Sequence, residues 1–242
     1  MSAYLKYLSC LAGLAMAASL LVLPDLASAT TYYVNAVSGN DTNNNGLSHA
    51  TAWETITHAA ATVPAGTSKA PNVISVAGGI YNIGNNNEIF PINFTHDFVS
   101  LTGAGAATTV IDMQNLTVDD ALHVSAKGFS VSGFTFNRAQ RAIGISEGGF
   151  TISDNVFETT IGQGVYFSRI ETNRAASISF AGIAITGNTF KTSTDGINVN
   201  VDLGFASNAN NLTAAFGNFT ISANNFLLTG GEGINIEVAP EI

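Results

Sequence analysis

The sequence predicts an all-β protein that folds as a right-handed parallel β-helix, a solenoid of about five recognisable rungs with a short N-terminal capping helix. Two repeated apolar segments and an unusual composition predict this fold class. Charged residues make up 10% of the chain, against about 25% in typical domains, whereas Gly, Asn, Thr and Ala are abundant. Such a composition disfavours long helices, and units of about 21 residues are typical of solenoids.

The first 29 residues have the three parts of a secretory signal peptide: a short start with Lys6, an apolar run from Leu8 to Leu23, and a small-residue site at 27–29. We expect cleavage after Ala29 and therefore a secreted, periplasmic or cell-surface protein. The apolar run has 16 residues, fewer than the roughly 18 that make a membrane-spanning helix. The chain after it has no cysteine, so we expect buried apolar area rather than disulfides to stabilise the fold.

Residues 30–97 are expected to form an N-terminal cap and the first strands. Within them, Thr51-Ala-Trp-Glu54 matches a capping box that precedes Ile56 and a helical spacing of apolar residues. This pattern predicts a short amphipathic helix that begins near Trp53. The helix would plug the open end of the solenoid core.

Residues 98–242 contain the rungs. The first repeated segment ends in an aromatic residue, and a second apolar segment follows it after a nearly constant interval. The copies of the first are Val131–Phe136, Ile152–Phe157, Ile185–Phe190 and Ile221–Phe226, and those of the second are Ala142–Ile145, Gly164–Phe167, Gly196–Val199 and Gly233–Ile236. An earlier turn, up to Ala121–Val124, makes five, and insertions near 169–180 and 201–216 lengthen two units. Apolar residues alternate within each strand, which puts one face inward.

Asparagines and phenylalanines recur at fixed places in the repeat. We expect Asn155, Asn188 and Asn224 to form a structural ladder at the corner after the first strand, because Asn tolerates unusual backbone angles there. The phenylalanines that end the first segment are expected to form an interior aromatic stack. Core packing is the usual fate of regularly spaced Phe, so a ligand-stacking platform is disfavoured.

The C-terminal end of the repeat has no second cap, since the chain stops at Ile242, six residues after Ile236. An exposed last rung would be an aggregating edge. This pattern predicts a truncated chain, self-association or a partner that covers the last rung.

The opening of the chain resembles bacterial pectin-lyase-like β-helix proteins that begin with a shared N-terminal domain of unknown function. The residues that carry the resemblance are Tyr32–Val34, Ser38–Asp41, Gly46–Ser48, Trp53–Ile56, Gly79–Tyr81 and Val99–Gly103. The resemblance implies a right-handed β-helix and export. Similar openings occur in polysaccharide lyases, which use calcium and a basic residue to remove a proton beside a uronate carboxylate. No lyase motif can be placed residue by residue on this sequence.

The second segment supplies the candidate ligand-binding face, because its polar residues align in columns. One column lies just before the strand, and the other is the first outward position of the strand. The members of the first column are Asp120, Arg141, Gln163, Asp195 and Glu232. Those of the second column are His123, Gly144, Tyr166, Asn198 and Asn235. The functional interpretation is a shallow saccharide groove with Tyr166 as a flat ring. The alternative is an ordinary polar exterior.

Three residues of this face are candidates for catalysis. Asp195 and Glu232 are expected one rung apart, about 5 Å, a separation that could invite a cation or serve a retaining glycosidase. Two carboxylates on an acidic surface are also common without function. Arg141 is the only base in its column and the one expected to act if the protein is a lyase. The pair of Asp120 and Arg141 is expected to be an exposed ion pair.

The N-terminal part of the chain also contains a candidate calcium site, although nothing in the sequence requires a cofactor. Asp41, Asn43 and Asn45 match the first half of a calcium loop, but position twelve is Ala52 where a bidentate Glu belongs. A polar turn that leads to the cap helix is the favoured interpretation. The four histidines are scattered without a close partner in sequence, so they are expected to lie at the surface or at corners.

The net charge of −9 disfavours nucleic acid as a partner, since phosphate binding needs clustered Lys and Arg. It also disfavours an acidic glycan without a bridging cation. We therefore expect an exported β-helix that binds a glycan or another surface, or is structural, without catalysis. The alternative is a carbohydrate-active enzyme, more a polysaccharide lyase than a hydrolase.

Overall fold

A computed structural model describes residues 28–117, 120–158, 162–170, 177–192, 194–202, 213–228 and 230–239. The expected signal peptide lies outside these residues, apart from Ser28 and Ala29. The described chain is a right-handed parallel β-helix, because nearly all of its strands are paired in parallel within three sheets. Among the described residues, no helix is both long enough and apolar enough to cross a bilayer.

Three parallel sheets run along the solenoid. The first contains β1 (Thr31–Val34), β2 (Asn72–Val76), β5 (Val99–Gly103), β8 (Ser130–Ser132), β11 (Thr151–Ser153), β14 (Ser177–Thr186) and β17 (Thr213–Ser222). The second contains β3 (Gly79–Tyr81), β6 (Thr109–Asp112), β9 (Thr135–Asn137), β12 (Val156–Glu158), β15 (Thr189–Lys191) and β18 (Asn225–Phe226). The third contains β4 (Ile92–Phe94), β7 (Asp120–Val124), β10 (Arg141–Ile145), β13 (Val165–Ile170), β16 (Ile197–Asp202) and β19 (Ile234–Ala239).

One strand from each sheet makes a coil, so the described residues form six coils in addition to β1. The repeat predicted about five. The extra coil, β2 to β4, lies in the segment that was expected to hold the cap and the first strands, where the Asn and Phe of the repeat do not recur at their repeat positions. Its strands nevertheless pair in register with the next coil, for example Ile74 with Leu101 and Ile92 with Leu122. Inward-facing aliphatic residues therefore suffice to form a coil without the full repeat.

The interior of the solenoid contains the predicted aromatic stack. The rings of Phe136 and Phe157 are 5.3 Å apart, those of Phe157 and Phe190 4.6 Å, and those of Phe190 and Phe226 5.0 Å. Each pair is within 8° of parallel. Coils that repeat in register place the same residue at the same site, so stacking follows from the register.

The asparagine ladder is confirmed at the corner between the first and second sheets. Asn155 donates its side-chain amide to the Oδ1 atom of Asn188 at 3.2 Å, and Asn188 donates to Asn224 at 3.0 Å. The main-chain amide of each also donates to the same oxygen on the next coil. The ladder thus provides hydrogen-bond partners for buried polar groups at a corner, where strand pairing does not provide them.

The predicted cap helix is present, but its predicted start is wrong. Helix α1 spans Ile56–Thr62 and is capped by Thr55, whose side chain accepts a hydrogen bond from the His58 amide. Thr51 lies instead in a 3-10 turn, and Trp53 pairs with Val34 beside β1. That pairing holds Trp53 in extended backbone, so helical geometry begins only after it. A second short helix, α2 (Ile83–Asn86), connects β3 to β4.

The cap helix buries its apolar side against the solenoid, as expected. Ile56, Ala59 and Ala60 are buried within the main hydrophobic cluster. Glu88 anchors its first turn by accepting hydrogen bonds from the main-chain amides of Ile56 and Thr57. This places the cap before the coils that carry the candidate face.

Candidate functional site

The outer face of the third sheet brings the outward column of the candidate face into register. His123 lies opposite Gly144, which lies opposite Tyr166. Tyr166 in turn lies opposite Asn198, and Asn198 opposite Asn235. Strands in a sheet are about 4.8 Å apart, so these side chains form a row that follows the solenoid axis.

The column before the strand lies at the corner that leads into the third sheet. Arg141 is in register with Asp120, and the amides of Ala142, Gly164 and Gly196 donate to the carbonyls of Gln163, Asp195 and Glu232 on the next coil. These corner residues therefore stack like the strand residues after them. Glu232 is exposed, whereas Gln163 is half-buried.

Asp120 is the centre of the most connected part of this face. Its Oδ1 atom accepts a hydrogen bond from Arg141 Nε at 2.8 Å, and its Oδ2 atom lies 2.9 Å from His123 Nδ1. The expected exposed ion pair is thus wrong in one respect, because the Asp120 side chain is only 6% exposed. The Asp120 carboxylate is buried, and its contacts with Arg141 and His123 compensate for the hydrogen bonds to water that it loses.

Gly144 makes room for this carboxylate. A Cβ atom at Gly144 would lie 2.4 Å from Asp120 Oδ2, closer than such atoms can approach. The Asp120 carboxylate therefore occupies the space that a side chain at Gly144, between His123 and Tyr166 in the column, would fill. This glycine is required by a close approach, not by its backbone angles.

Arg141 connects the Asp120 centre to the aromatic residue of the face. Its guanidinium carbon lies 4.6 Å from the centre of the Tyr166 ring. Such a stack contributes about 0.5–1 kcal/mol at an exposed site and fixes the orientation of both groups. Arg141 was the expected base if the protein is a lyase, and here its Nε atom donates to Asp120.

Asp195 interacts with its neighbours through both carboxylate oxygens. Oδ1 accepts a hydrogen bond from the main-chain amide of Glu232 at 2.9 Å, and Oδ2 accepts one from the Asn198 side chain at 2.9 Å. The contact between Asp195 and Glu232 thus involves the main chain of Glu232. These bonds anchor a corner and orient Asn198 within the row.

The calcium candidates lie in the loop before the cap helix. Asp41 Oδ1 accepts hydrogen bonds from the amides of Glu54 and Thr55, and its Oδ2 atom accepts one from Thr55 Oγ1 at 2.7 Å. The side-chain oxygen of Asn45 accepts a hydrogen bond from the Leu47 main-chain amide, and the Asn43 main-chain amide donates to the side-chain oxygen of Asn40. This is the geometry of a polar turn that leads into a helix. Within the described ranges, no group of three or more His, Cys, Asp or Glu residues could hold a metal ion.

A separate cleft of about 140 Å³ lies on the first sheet and outside the candidate face. Tyr33, His49 and Ser75 are among the residues that line it. The residues that line this cleft do not include any member of the candidate face.

The association of His123 with Asp120 was not expected from the sequence. The two are three residues apart, so strict alternation would point them to opposite faces of the strand. Asp120 lies at the start of β7, where the corner lets its carboxylate turn toward the outer face. The sequence signal for this contact was an Asp at the first position of a strand, Asp120, followed by an outward-facing His, His123.

Comparison with known proteins gave only distant structural likenesses. No family model matches the chain, and no curated protein matches it. A pectin methylesterase, PemA from Erwinia chrysanthemi, is 18% identical with a TM-score of 0.39, over 72% of this chain and 56% of that one.

Two further solved structures are pectin methylesterases in complex with hexasaccharides, one of them a mutant. They are 16% and 15% identical, with TM-scores of 0.41 and 0.37, over 78% and 85% of this chain. The chain spans 67% of each of these two structures and 56% of PemA. The strand pairing of this chain establishes its fold, and the register of the third sheet establishes which residues share the candidate face.

Proposed function

We propose that this chain is an exported β-helix protein that binds a polysaccharide along the outer face of its third sheet. The observation that carries the proposal is the stack of Arg141 on Tyr166, which the buried carboxylate of Asp120 holds in place. A flat ring in a fixed orientation is a suitable surface for a sugar ring, and it loses little conformational entropy on binding.

The row beside the ring supports an extended ligand. Tyr166, Asn198 and Asn235 follow one another on successive coils, so ring and amide groups repeat along the axis. Asn198 is also oriented by its bond to Asp195. A linear saccharide laid along the axis would meet these groups in sequence. The net charge of −9 favours a neutral polysaccharide, and an acidic one would need a bridging cation such as calcium.

Binding is tested by calorimetry with purified protein against neutral and uronate polysaccharides, the latter with and without calcium. We expect Tyr166→Ala to weaken binding by about tenfold, the equivalent of about 1.4 kcal/mol, since it removes the ring and the partner of Arg141. Tyr33→Ala is the matched control, because Tyr33 is a half-buried tyrosine on the first sheet. Equal binding by Tyr166→Ala and wild type, or no binding to any glycan, would refute the proposal.

Export is the second part of this proposal and rests on the signal pattern of residues 1–29. Expression of the full chain in a bacterium with an outer membrane should give a periplasmic or secreted product that begins at Thr30. Mass spectrometry of the intact product measures this directly. Retention in the cytoplasm with the first 29 residues still attached would contradict export.

A carbohydrate-active enzyme is the second candidate function. The observation that favours it is the contact between the half-exposed His123 and the buried Asp120. If the reaction is lyase chemistry, uronate polysaccharides would acquire the ultraviolet absorbance of an unsaturated sugar, and Arg141→Ala would test the role expected of that residue. Constant absorbance on every uronate substrate, with and without calcium, would exclude elimination on them.

A further inference from the structure

We propose that the outer face of the first sheet is an ice-binding surface, which adsorbs to a growing ice crystal through a regular array of hydroxyl groups. This surface is separate from the candidate face on the third sheet, so the inference goes beyond the proposed function and does not depend on it. The register of the hydroxyl groups, the lack of charge on the sheet and the rigidity of the array carry the inference.

Two columns of outward-facing residues run along the first sheet from β2 to β17. In each strand, an apolar residue that faces the core lies between two outward residues, as Leu101, Val131 and Ile152 do. The first column contains Val73, Ser100, Ser130, Thr151, Ala184 and Thr220, and the second contains Ser75, Thr102, Ser132, Ser153, Thr186 and Ser222. The second column thus has a hydroxyl group on every one of these six coils, and the first column has one on four of them.

The spacing of this array is regular in two directions. Successive coils are about 4.8 Å apart, and the two outward residues of one strand are about 6.6 Å apart. The array therefore extends about 24 Å along the solenoid axis. On a prism face of hexagonal ice, the oxygen atoms repeat at one distance slightly shorter than the coil spacing and at another slightly longer than the spacing within a strand. Hydroxyl groups on such a lattice can each replace a water molecule at the ice surface.

The first sheet is also uncharged. None of its seven described strands contains Asp, Glu, Lys or Arg, although the chain has 17 acidic and 8 basic residues. The outer faces of the other two sheets do carry charge, for example Glu158 and Lys191 on the second and Arg141 on the third. A charged polymer or an ion would find no partner on the first sheet. Its outer face is therefore complementary to a neutral surface.

The hydroxyl groups of the second column are available to water. In the first column, Ser130 Oγ donates a hydrogen bond to Ser100 Oγ at 2.7 Å. Within the part of the chain that the structure describes, no hydroxyl of the second column bonds to another protein group. Thr102 and Ser222 are exposed, and the other members of this column are half-buried. Short side chains on a paired strand lose little conformational entropy when they bind ordered water.

Other classes of ligand fit this array less well. Sugar rings are bound by stacking on aromatic side chains, and neither column contains an aromatic ring. Tyr33, which pairs with Ser75, lies on β1 at the N-terminal edge of the array. A protein partner needs an apolar interface core, whereas hydroxyl groups occupy ten of the twelve positions. A single hydrogen bond contributes little net free energy, so the ligand must contact many hydroxyls at once, as the lattice of ice does.

The test uses the purified full chain in solution with a single ice crystal. We expect the fluorescently labelled protein to adsorb to the crystal surface. We also expect the temperature at which the crystal grows to fall below the temperature at which it melts. Nanolitre osmometry measures this gap between the freezing and melting temperatures.

A matched pair of variants assigns the activity to the first sheet. Thr186→Tyr places a ring above the array, which should keep the neighbouring hydroxyls from the ice and abolish the gap. Thr189→Tyr is the control, because Thr189 is a half-buried, outward-facing threonine of the same coil but on the second sheet. This control should keep the wild-type gap. Tyr is a good strand former, and circular dichroism verifies that both variants are folded.

Three results would overturn the inference. The first is a wild-type protein that neither adsorbs to ice nor separates the freezing and melting temperatures. The second is an equal loss of the gap in Thr186→Tyr and Thr189→Tyr. The third is adsorption to crystalline cellulose or chitin but not to ice, which would identify a solid polysaccharide as the ligand of this face. Calorimetry of Tyr166→Ala with soluble polysaccharides tests the proposed function separately, so either proposal can fail without the other.

Discussion

Asp120 and Glu88 are carboxylates that the fold buries, and each is surrounded by hydrogen-bond donors. Asp120 lies between Arg141 and His123 on the candidate face. Glu88 accepts bonds from the Ile56 and Thr57 amides, from Thr57 Oγ1 at 2.6 Å and from the Asn86 side chain at 3.3 Å. Buried carboxylates are stable only with such partners, so both residues determine local structure.

The pKa of Glu88 makes the free energy of unfolding depend on pH. Burial raises this pKa above its usual range, and the bonds from Thr57, Ile56 and Asn86 only partly oppose that effect. A raised pKa in the folded state means that the folded protein binds the proton more tightly than the unfolded chain. The free energy of unfolding should therefore fall as pH rises above the unfolded value near 4.5, until Glu88 is fully ionised.

Comparison of wild type with Glu88→Gln by urea unfolding from acidic to neutral pH tests this linkage. Relative to the variant, the wild type should lose stability as the pH rises, because only the wild type must keep a buried charge. Glu158→Gln is the control, since Glu158 is exposed and pairs with Lys191 at the surface. Parallel curves, or a wild type that gains stability with pH, would contradict the effect of burial.

At the scale of elements, the coils are held in register by two ladders that run along the axis. The phenylalanine stack fills the interior, and the asparagine ladder satisfies the corner between the first and second sheets. Each ladder connects one coil only to its neighbours, which is the energetic signature of a solenoid. Damage to a ladder should therefore weaken the interface between adjacent coils.

Asn188 is the middle residue of the asparagine ladder and is fully buried. Asn188→Ala should lower the free energy of unfolding by about 2–4 kcal/mol, because it leaves the Asn155 amide and the Ile152 carbonyl without partners. Denaturant unfolding followed by circular dichroism measures the change. Asn224→Ala, at a half-buried position, should cost less. An equal cost at both positions would argue against the ladder as the cause.

Phe157 packs between the rings of Phe136 and Phe190 and is fully buried. We expect Phe157→Ala to cost about 3–5 kcal/mol through lost apolar burial and the cavity left behind. Phe157→Leu keeps most of the volume and should cost clearly less. Thermal unfolding of the two variants provides the comparison. Similar losses in both would show that ring stacking, rather than filled volume, dominates at this site.

At the scale of the whole molecule, the two ends of the described solenoid differ. The N-terminal end is covered by α1, whose Ile56 is fully buried. In the last described coil, Ile234 and Ile236 are 42% and 53% exposed, whereas Ile197 and Val199, one coil earlier at the same register, are buried. Coverage of this coil by self-association or by a partner stays a prediction.

This asymmetry predicts a gradient of protection in hydrogen exchange. Amides of β8 to β12 should exchange most slowly, since coils cover them on both sides, and amides of β19 should exchange fastest among the strands. Mass spectrometry of exchanged peptides at two protein concentrations measures the gradient. Slow exchange of β19 that persists on dilution would contradict it, whereas protection only at the higher concentration would indicate self-association.

Much of the fold was predictable because its information is periodic. Inward alternation, the interval between the two segments and the aligned Asn and Phe each repeat with the coil, so the sequence alone determined the solenoid, the aromatic stack and the corner ladder. The start of α1 was not predictable from its capping pattern, because the pairing of Trp53 with Val34 is a contact between distant parts of the chain.

The sequence by itself also determined which polar residues share the third sheet, since register fixes His123, Tyr166 and Asn198 in one row. Only the tertiary structure decided which of them interact. The burial of Asp120, its contact with His123 and the space left by Gly144 depend on how a side chain turns at a corner. Periodicity specifies the direction of side chains within strands, whereas corners break that alternation, so contacts made there are decided by three-dimensional packing.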